Sequence, residues 1–283
     1  MLSASALAPV SSQAEDIAAA PAADKSNYSL FDPTPVDQER SFCTDRPTKS
    51  NFPCTVDAGH VLYEADAFNW SYNHNGALTQ DTYLFTNPTF KLGLTNRIDI
   101  EANITPLEEI LTHDKASGSK TDLTGNGDLY LRVKYNLVGN DSGDIAVTLL
   151  PYVKLPTAEP GIGNKSVEEG IITPLSFVLP KNFLLILDPE IDELRNISDQ
   201  GYHTSYQGLM NLSHSLLVDS VTMYGELWSQ DNRDPSGVIA ESSLDLAITW
   251  LAQPNLQLDV GTNIGLNHAT PDFQSYVGIS QRF

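Results

Sequence analysis

From residue 57 onward the chain is a series of amphipathic segments whose connecting links alternate between short and long. The segment RIDIEANI sets Ile98, Ile100, Ala102 and Ile104 against Arg97, Asp99, Glu101 and Asn103. DLYLRVKYNL sets Leu129, Leu131, Val133, Tyr135 and Leu137 against Asp128, Tyr130, Arg132, Lys134 and Asn136, and LQLDVGTNIGL has the same form. A period of two marks strands with one apolar face. About twelve such segments are predicted, at 58–72, 81–92, 96–105, 127–138, 143–155, 168–179, 182–193, 202–214, 219–230, 240–252, 255–266 and 273–283; those near 170–178 and 203–211 alternate poorly. The tight links are LTNR, GNDSG, PKN, LVD and AQPN. Between them fall the longer NHNGALTQ, PLEEILTHDKASGSKTDLTGNG, PTAEPGIGNKSVEEG, ELRNISDQG, QDNRDPSGVIAE and NHATPD.

A soluble sandwich has no reason to collect its tight turns at one end and its long loops at the other. An outer-membrane barrel has short periplasmic turns, long extracellular loops and an even strand number. Strands of about ten residues match a tilted crossing of the hydrocarbon layer, and closure spares the sheet an unsatisfied edge in lipid. A twelve-stranded barrel is too wide for an apolar side-chain core, so the charged face belongs inside and the Leu, Ile and Val face outside. The expected fold is all-β, an antiparallel transmembrane β-barrel of about 12 strands over residues 57–283. Trp70, Trp228, Trp250, Tyr72 and Tyr135 are placed at strand ends as aromatic girdles. The last segment, FQSYVGISQRF, closes the barrel against the first strand, with Val277, Ile279 and Phe283 toward lipid, Arg282 toward the lumen and a polar Gln281 out of pattern.

No apolar run approaches the roughly 20 residues of a membrane helix. With 16 basic and 36 acidic residues, net −20, the chain lacks the clustered cations that nucleic acid requires. Residues 1–14 end in Ser12-Gln13-Ala14, a small-x-small pattern that reads as the remnant of a signal peptide, or else as the start of an Ala-rich arm. Residues 15–56, rich in Ala, Pro, Asp and Ser and without period, form an irregular arm. Cys43 and Cys54 suit a small disulfide loop in an oxidising compartment, worth about 3 kcal/mol by chain entropy; two free thiols are the other reading. Neither a metal nor a cofactor is expected, since the six histidines and two cysteines show no ligand spacing.

Several stretches resemble the outer-membrane transporter family named for the meta-pathway of phenol degradation. They are Asp45-Arg46-Pro47; TVDAGHVLYEA with Gly59, His60 and Glu64; GNGDLYLRVKYNL with Gly127, Asp128, Lys134 and Tyr135; LLPYVKLPTAEPGIGN; EGIITPLSF; Glu226; LDVGTNIGLN; and VGISQRF. The resemblance runs from about residue 45 to the end. It implies a barrel of twelve or so strands in the bacterial outer membrane, a role in transport, and hydrophobic or aromatic solutes; the polar inner face suits hydrophilic solutes equally. Gln281 and the two cysteines depart from the family pattern.

On this parity the pore-lining candidates are Glu64, Asp99, Glu101, Asp128, Arg132, Lys134, Lys154, Glu226, Asp245, Asp259 and Arg282. Asp99, Lys134, Asp259 and Arg282 are placed at one level near the periplasmic mouth. They form either a constriction that selects solutes or a salt-bridge network that braces and fills the barrel, and their mixed signs favour the network. Asp45 and Arg46 are the plug candidates, because a rigid Arg fork beside a proline fits partial insertion of the arm better than a free tail. Asn211, Ser213 and His214 invite a lipase reading, but strand alternation points Ser213 and His214 apart. Asp122, Asn126 and Asp128 lack the spacing of a calcium loop.

The expected function is passive uptake of small solutes by a non-enzymatic outer-membrane channel. The alternatives are a non-conducting structural or adhesive barrel and an outer-membrane lipid-modifying enzyme. The implied partners are outer-membrane lipid, the outer-membrane assembly machinery and a small-molecule solute, with no nucleic acid.

Overall fold

The computed structural model describes residues 24–216 and 220–283. The expectation for residues 1–14, the start of the arm and the LVD turn lie outside the described residues. The rest forms a closed antiparallel barrel of twelve staves, built from seventeen strand segments among the described residues.

The first four staves are β1 (Val61–Asn75), β2 (Leu78–Phe85) with β3 (Asn87–Thr95), β4 (Ile98–Ile104) with β5 (Leu107–Asp114), and β6 (Lys120–Gly125) with β7 (Leu129–Val138). Next come β8 (Ile145–Leu155), β9 (Glu168–Ile172) with β10 (Leu175–Leu179), and β11 (Phe183–Leu187) with β12 (Glu190–Arg195). The last five are unbroken: β13 (Tyr202–Ser215), β14 (Val221–Asp234), β15 (Gly237–Gln253), β16 (Leu256–Gly265) and β17 (Phe273–Arg282). Pro106, Pro174 and Pro189 sit in three of the breaks, where a residue without an N–H interrupts the ladder. β17 closes on β1 from Leu62↔Arg282 to Tyr72↔Phe273, so no edge is left open.

The barrel is inside-out relative to a soluble domain. Leu131, Val133, Tyr135, Ile248, Val260 and Val277 are exposed on the outer wall, while Lys91, Lys134, Asp99, Glu226 and Asp245 are buried within. That is the partition expected of a wall facing lipid.

Three differences from the sequence reading have physical causes. The links at 73–80, 106–127 and 230–241 are mostly strand: β1 and β2 meet at a two-residue turn, β5 pairs with β6, and β14 runs to Asp234 before β15 starts at Gly237. Their polar residues continue the ladder above the membrane, where a hydrophobic period is not required. Trp228 is not a girdle residue. It shares the parity of Glu226 and faces the lumen, with the Lys49 ammonium 4.8 Å from its ring centre. Finally, Leu150, Ile172 and Ile186 point inward and are buried, so one sector of the inner wall is apolar, and of these Ile172 falls in a stretch whose alternation reads poorly.

Candidate functional site

The arm from Asp24 first lies across the periplasmic mouth. Leu30 donates its N–H to the Leu94 carbonyl at 2.8 Å. Lys25 and Arg40 both pair with Asp57 and Asp141. Arg282 belongs to this layer, bonding Glu39 at 2.8 Å and the Arg40 carbonyl at 2.9 Å. It therefore does not share a level with Asp259, which pairs in register with Gly278, four residues and roughly 13 Å along the strand.

The arm then turns into the barrel as a loop closed by the Cys43–Cys54 disulfide. Without regular structure, its backbone N–H groups need partners, and inward carboxylates supply them. Asp45 N donates to Glu64 at 3.1 Å, Lys49 N and Ser50 N to Glu226 at 3.1 and 3.2 Å, Asn51 N to Asp188 at 2.8 Å, and Val56 N to Asp99 at 2.8 Å. Asn136 Nδ2 donates to the Pro53 carbonyl at 2.9 Å.

Three charged side chains of the loop fasten it. Asp45 sits between Lys91 and Lys134, with Lys134 Nζ at 2.8 and 3.0 Å from its two oxygens. Glu64 and Glu101 complete this cluster, at 2.9 Å from Lys91 and 3.2 Å from Lys134 respectively. Burial works to raise the Asp45 carboxyl, but Lys134 and then Lys91 outweigh it and hold it well below the usual carboxylate range. Arg46 forks onto Asp259 through Nε at 2.9 Å and Nη2 at 2.6 Å, and Nη1 reaches Asp66 at 2.6 Å. A side chain at Gly278 would overlap the guanidinium, so only glycine fits beneath it. Lys49 bonds Asp245 at 2.6 Å and Ser243 at 2.7 Å.

The arm thus touches seven of the eleven candidates directly, Glu64, Asp99, Lys134, Glu226, Asp245, Asp259 and Arg282, and reaches Glu101 only through Lys134. Asp128 and Lys154 lie elsewhere, by the loop after β8, where Lys154 pairs with Glu168 at 2.6 Å and Asp128 accepts from Ala158 N at 2.9 Å. Arg132 faces a cavity of about 250 Å³ between loop and wall. Sequence reasoning missed Lys91, Asp66, Asp188 and Lys49. Lys91 has the parity of an inward residue in TFKLGL, and Asp66 that of Glu64, so both were legible, although the bulge at Ala67 reverses the phase after Asp66; Asp188 stands before a proline. Ser213 faces inward while His214 stacks on Phe183 outside, ring centres 4.3 Å apart, so no nucleophile–base pair forms there.

A family model described as "Putative MetA-pathway of phenol degradation" matches residues 44–283. Among solved structures, an outer membrane channel from Pseudomonas putida F1 is 15% identical with a TM-score of 0.55, covering 79% of this chain and 94% of its own. The NanC porin is 9% identical with a TM-score of 0.48, over 77% of this chain and 98% of its own. The CymD monoaromatic hydrocarbon channel is 7% identical with a TM-score of 0.44, over 79% and 88%. No curated protein sequence matches the chain.

Proposed function

The chain belongs to this phenol-degradation MetA-pathway family, and from that premise we propose that it is an outer-membrane channel for small polar solutes, closed at rest by its own arm. The carrying observation is how the loop is held. Asp45, Arg46, Lys49 and Asn51 bind inward charges on staves all round the barrel, by ion pairs and hydrogen bonds. A buried ion pair contributes little net stability over an apolar contact, so such a loop can leave the lumen at modest cost if its partners rehydrate. The wall it would uncover carries Glu64, Lys91, Glu101, Lys134, Glu226, Asp245 and Asp259, which suits hydrated polar solutes better than apolar ones.

The test is conductance in planar bilayers and liposome swelling by purified protein, with and without residues 15–56. The expected result is low or intermittent current from the full chain and steady current after deletion. Silence from both, with the barrel folded by heat-modifiable gel migration, would leave the non-conducting barrel as the reading.

A further inference from the structure

Almost every cation of the lumen is committed. Lys91, Lys134, Arg46, Lys49, Lys154 and Arg282 each hold a carboxylate at 3.4 Å or closer. Arg132 is the exception. Its guanidinium makes no hydrogen bond among the described residues, Nε is buried without a partner, and the nearest carboxylate, Glu101, is 3.8 Å away. The same cavity is lined by Glu190, whose carboxyl lies in hydrogen-bond contact with that of Asp192 and which has no cation paired to it among the described residues. Beside it Gln207 spends its amide nitrogen on Asp192 at 2.8 Å, leaving its carbonyl oxygen free to accept.

Arg132 and Glu190 form no ion pair with each other because of where the strands put them. Arg132 is on β7 and Glu190 on β12, three staves apart, or about 14 Å along the sheet. The interval is kept clear by Gly170, where any side chain would collide with the Tyr152 ring. Tyr152 instead lies along the wall and donates its hydroxyl to Asp192 at 2.7 Å. Ile172 lines the cavity between the charges, and Thr48, Ser50 and Asn51 of the arm close its other side.

We propose that this cavity is a binding site for a small zwitterion of the α-amino acid type, with its carboxylate on Arg132 and its ammonium on Glu190 and the Gln207 carbonyl. A simple anion would face the Glu190 and Asp192 carboxyls and leave them without a cation, and a simple cation would leave Arg132 without an anion at hydrogen-bond distance. A solute carrying both signs satisfies both groups. The volume of about 250 Å³ equals roughly eight waters, enough for alanine. The proposal deepens the channel reading and rests on it for the solute's onward path, though not for its binding.

Ligand-observed saturation-transfer NMR on the full-length protein in detergent tests it, using alanine, propionate and ethylammonium. Alanine should bind at least about tenfold more tightly than either half, since each lacks one charge-assisted contact. Arg132→Gln should abolish alanine binding. Glu190→Gln should weaken alanine and strengthen propionate, a gain that a misfolded variant cannot produce. Equal binding of the three probes, no alanine signal from folded wild type, or alanine binding that survives both substitutions would overturn the site. Because no current is read, binding without conductance would sink the channel and keep the site, and conductance without binding would do the reverse.

Discussion

Arg46 and Asp259 are 213 residues apart in sequence, yet Arg46 donates two hydrogen bonds to the two oxygens of the Asp259 carboxylate. The pair joins the arm to the eleventh stave, and Asp66 on the first takes the remaining Nη1. Removing one member of a buried pair costs about 3–5 kcal/mol, because the other is left charged and unpaired. Arg46→Ala should therefore unseat the loop and raise single-channel conductance toward that of the arm deletion. Adding Asp66→Asn and Asp259→Asn should not close the channel again, because the bonds to the loop stay missing. A wild-type trace from Arg46→Ala would show that Arg46 does not hold the gate.

Lys134 has a different place in the network. It is 1% exposed and holds Asp45 of the arm together with Glu101 of the wall. Lys134→Met should destabilise the barrel itself by about 3–5 kcal/mol, read as a lower temperature of the heat-modifiable gel shift. Asp45→Asn in the same background should recover part of the loss by removing one stranded charge. Full independence of the two substitutions would refute the coupling.

The barrel was legible because lipid on one side and charge on the other force a period of two, as in β7, where all of Leu129 to Leu137 alternate as read. Ladders that leave the membrane lose that constraint, which is why 73–80 and 230–241 read as loops. Asp66 shares the parity of Glu64 and is inward on that count; the bulge at Ala67 places two residues against one on β17, so that a count back from Trp70 and Tyr72 points it the wrong way. Trp228 shows that residue type without parity misleads: an aromatic near a strand end was assigned to the lipid interface, while counting from Glu226 puts it inside. The path of the arm was the least legible part. Its N–H groups are satisfied by carboxylates such as Glu226 and Asp188, more than a hundred residues downstream, and no local pattern encodes partners so remote.

The contribution of Asp45 to seating the arm has a definite pH sign. Its carboxyl is depressed in the docked loop, so its stabilisation is fully present above the ordinary value of 3.8 and drains away as pH falls below it. Asp141 at the mouth, raised by burial but lowered further by Asn96, Arg40 and Lys25, has the same sign. The difference in open probability between wild type and Asp45→Asn should thus stay constant from about pH 7 to pH 5. It should shrink below about pH 4, as Asp45 of the undocked loop takes up a proton that the docked carboxyl refuses. A difference that vanishes near neutral pH would mean that Asp45 is not paired as an anion.

The disulfide bears on the same equilibrium from the undocked side. It closes an 11-residue separation, Cys43 to Cys54, and a cross-link of that length removes about 3 kcal/mol of chain entropy from the free loop. Every wall contact from Asp45 to Pro53 falls inside it, so reduction leaves those partners in place and only enlarges the ensemble the loop must give up to dock. Dithiothreitol should therefore raise the frequency of openings in the full chain without changing the conductance of the open state. The double substitution Cys43→Ser with Cys54→Ser should show the raised frequency from the start and no response to reductant. A reductant effect that persists in the double substitution, or a changed open-state conductance, would place the action of reductant outside this loop.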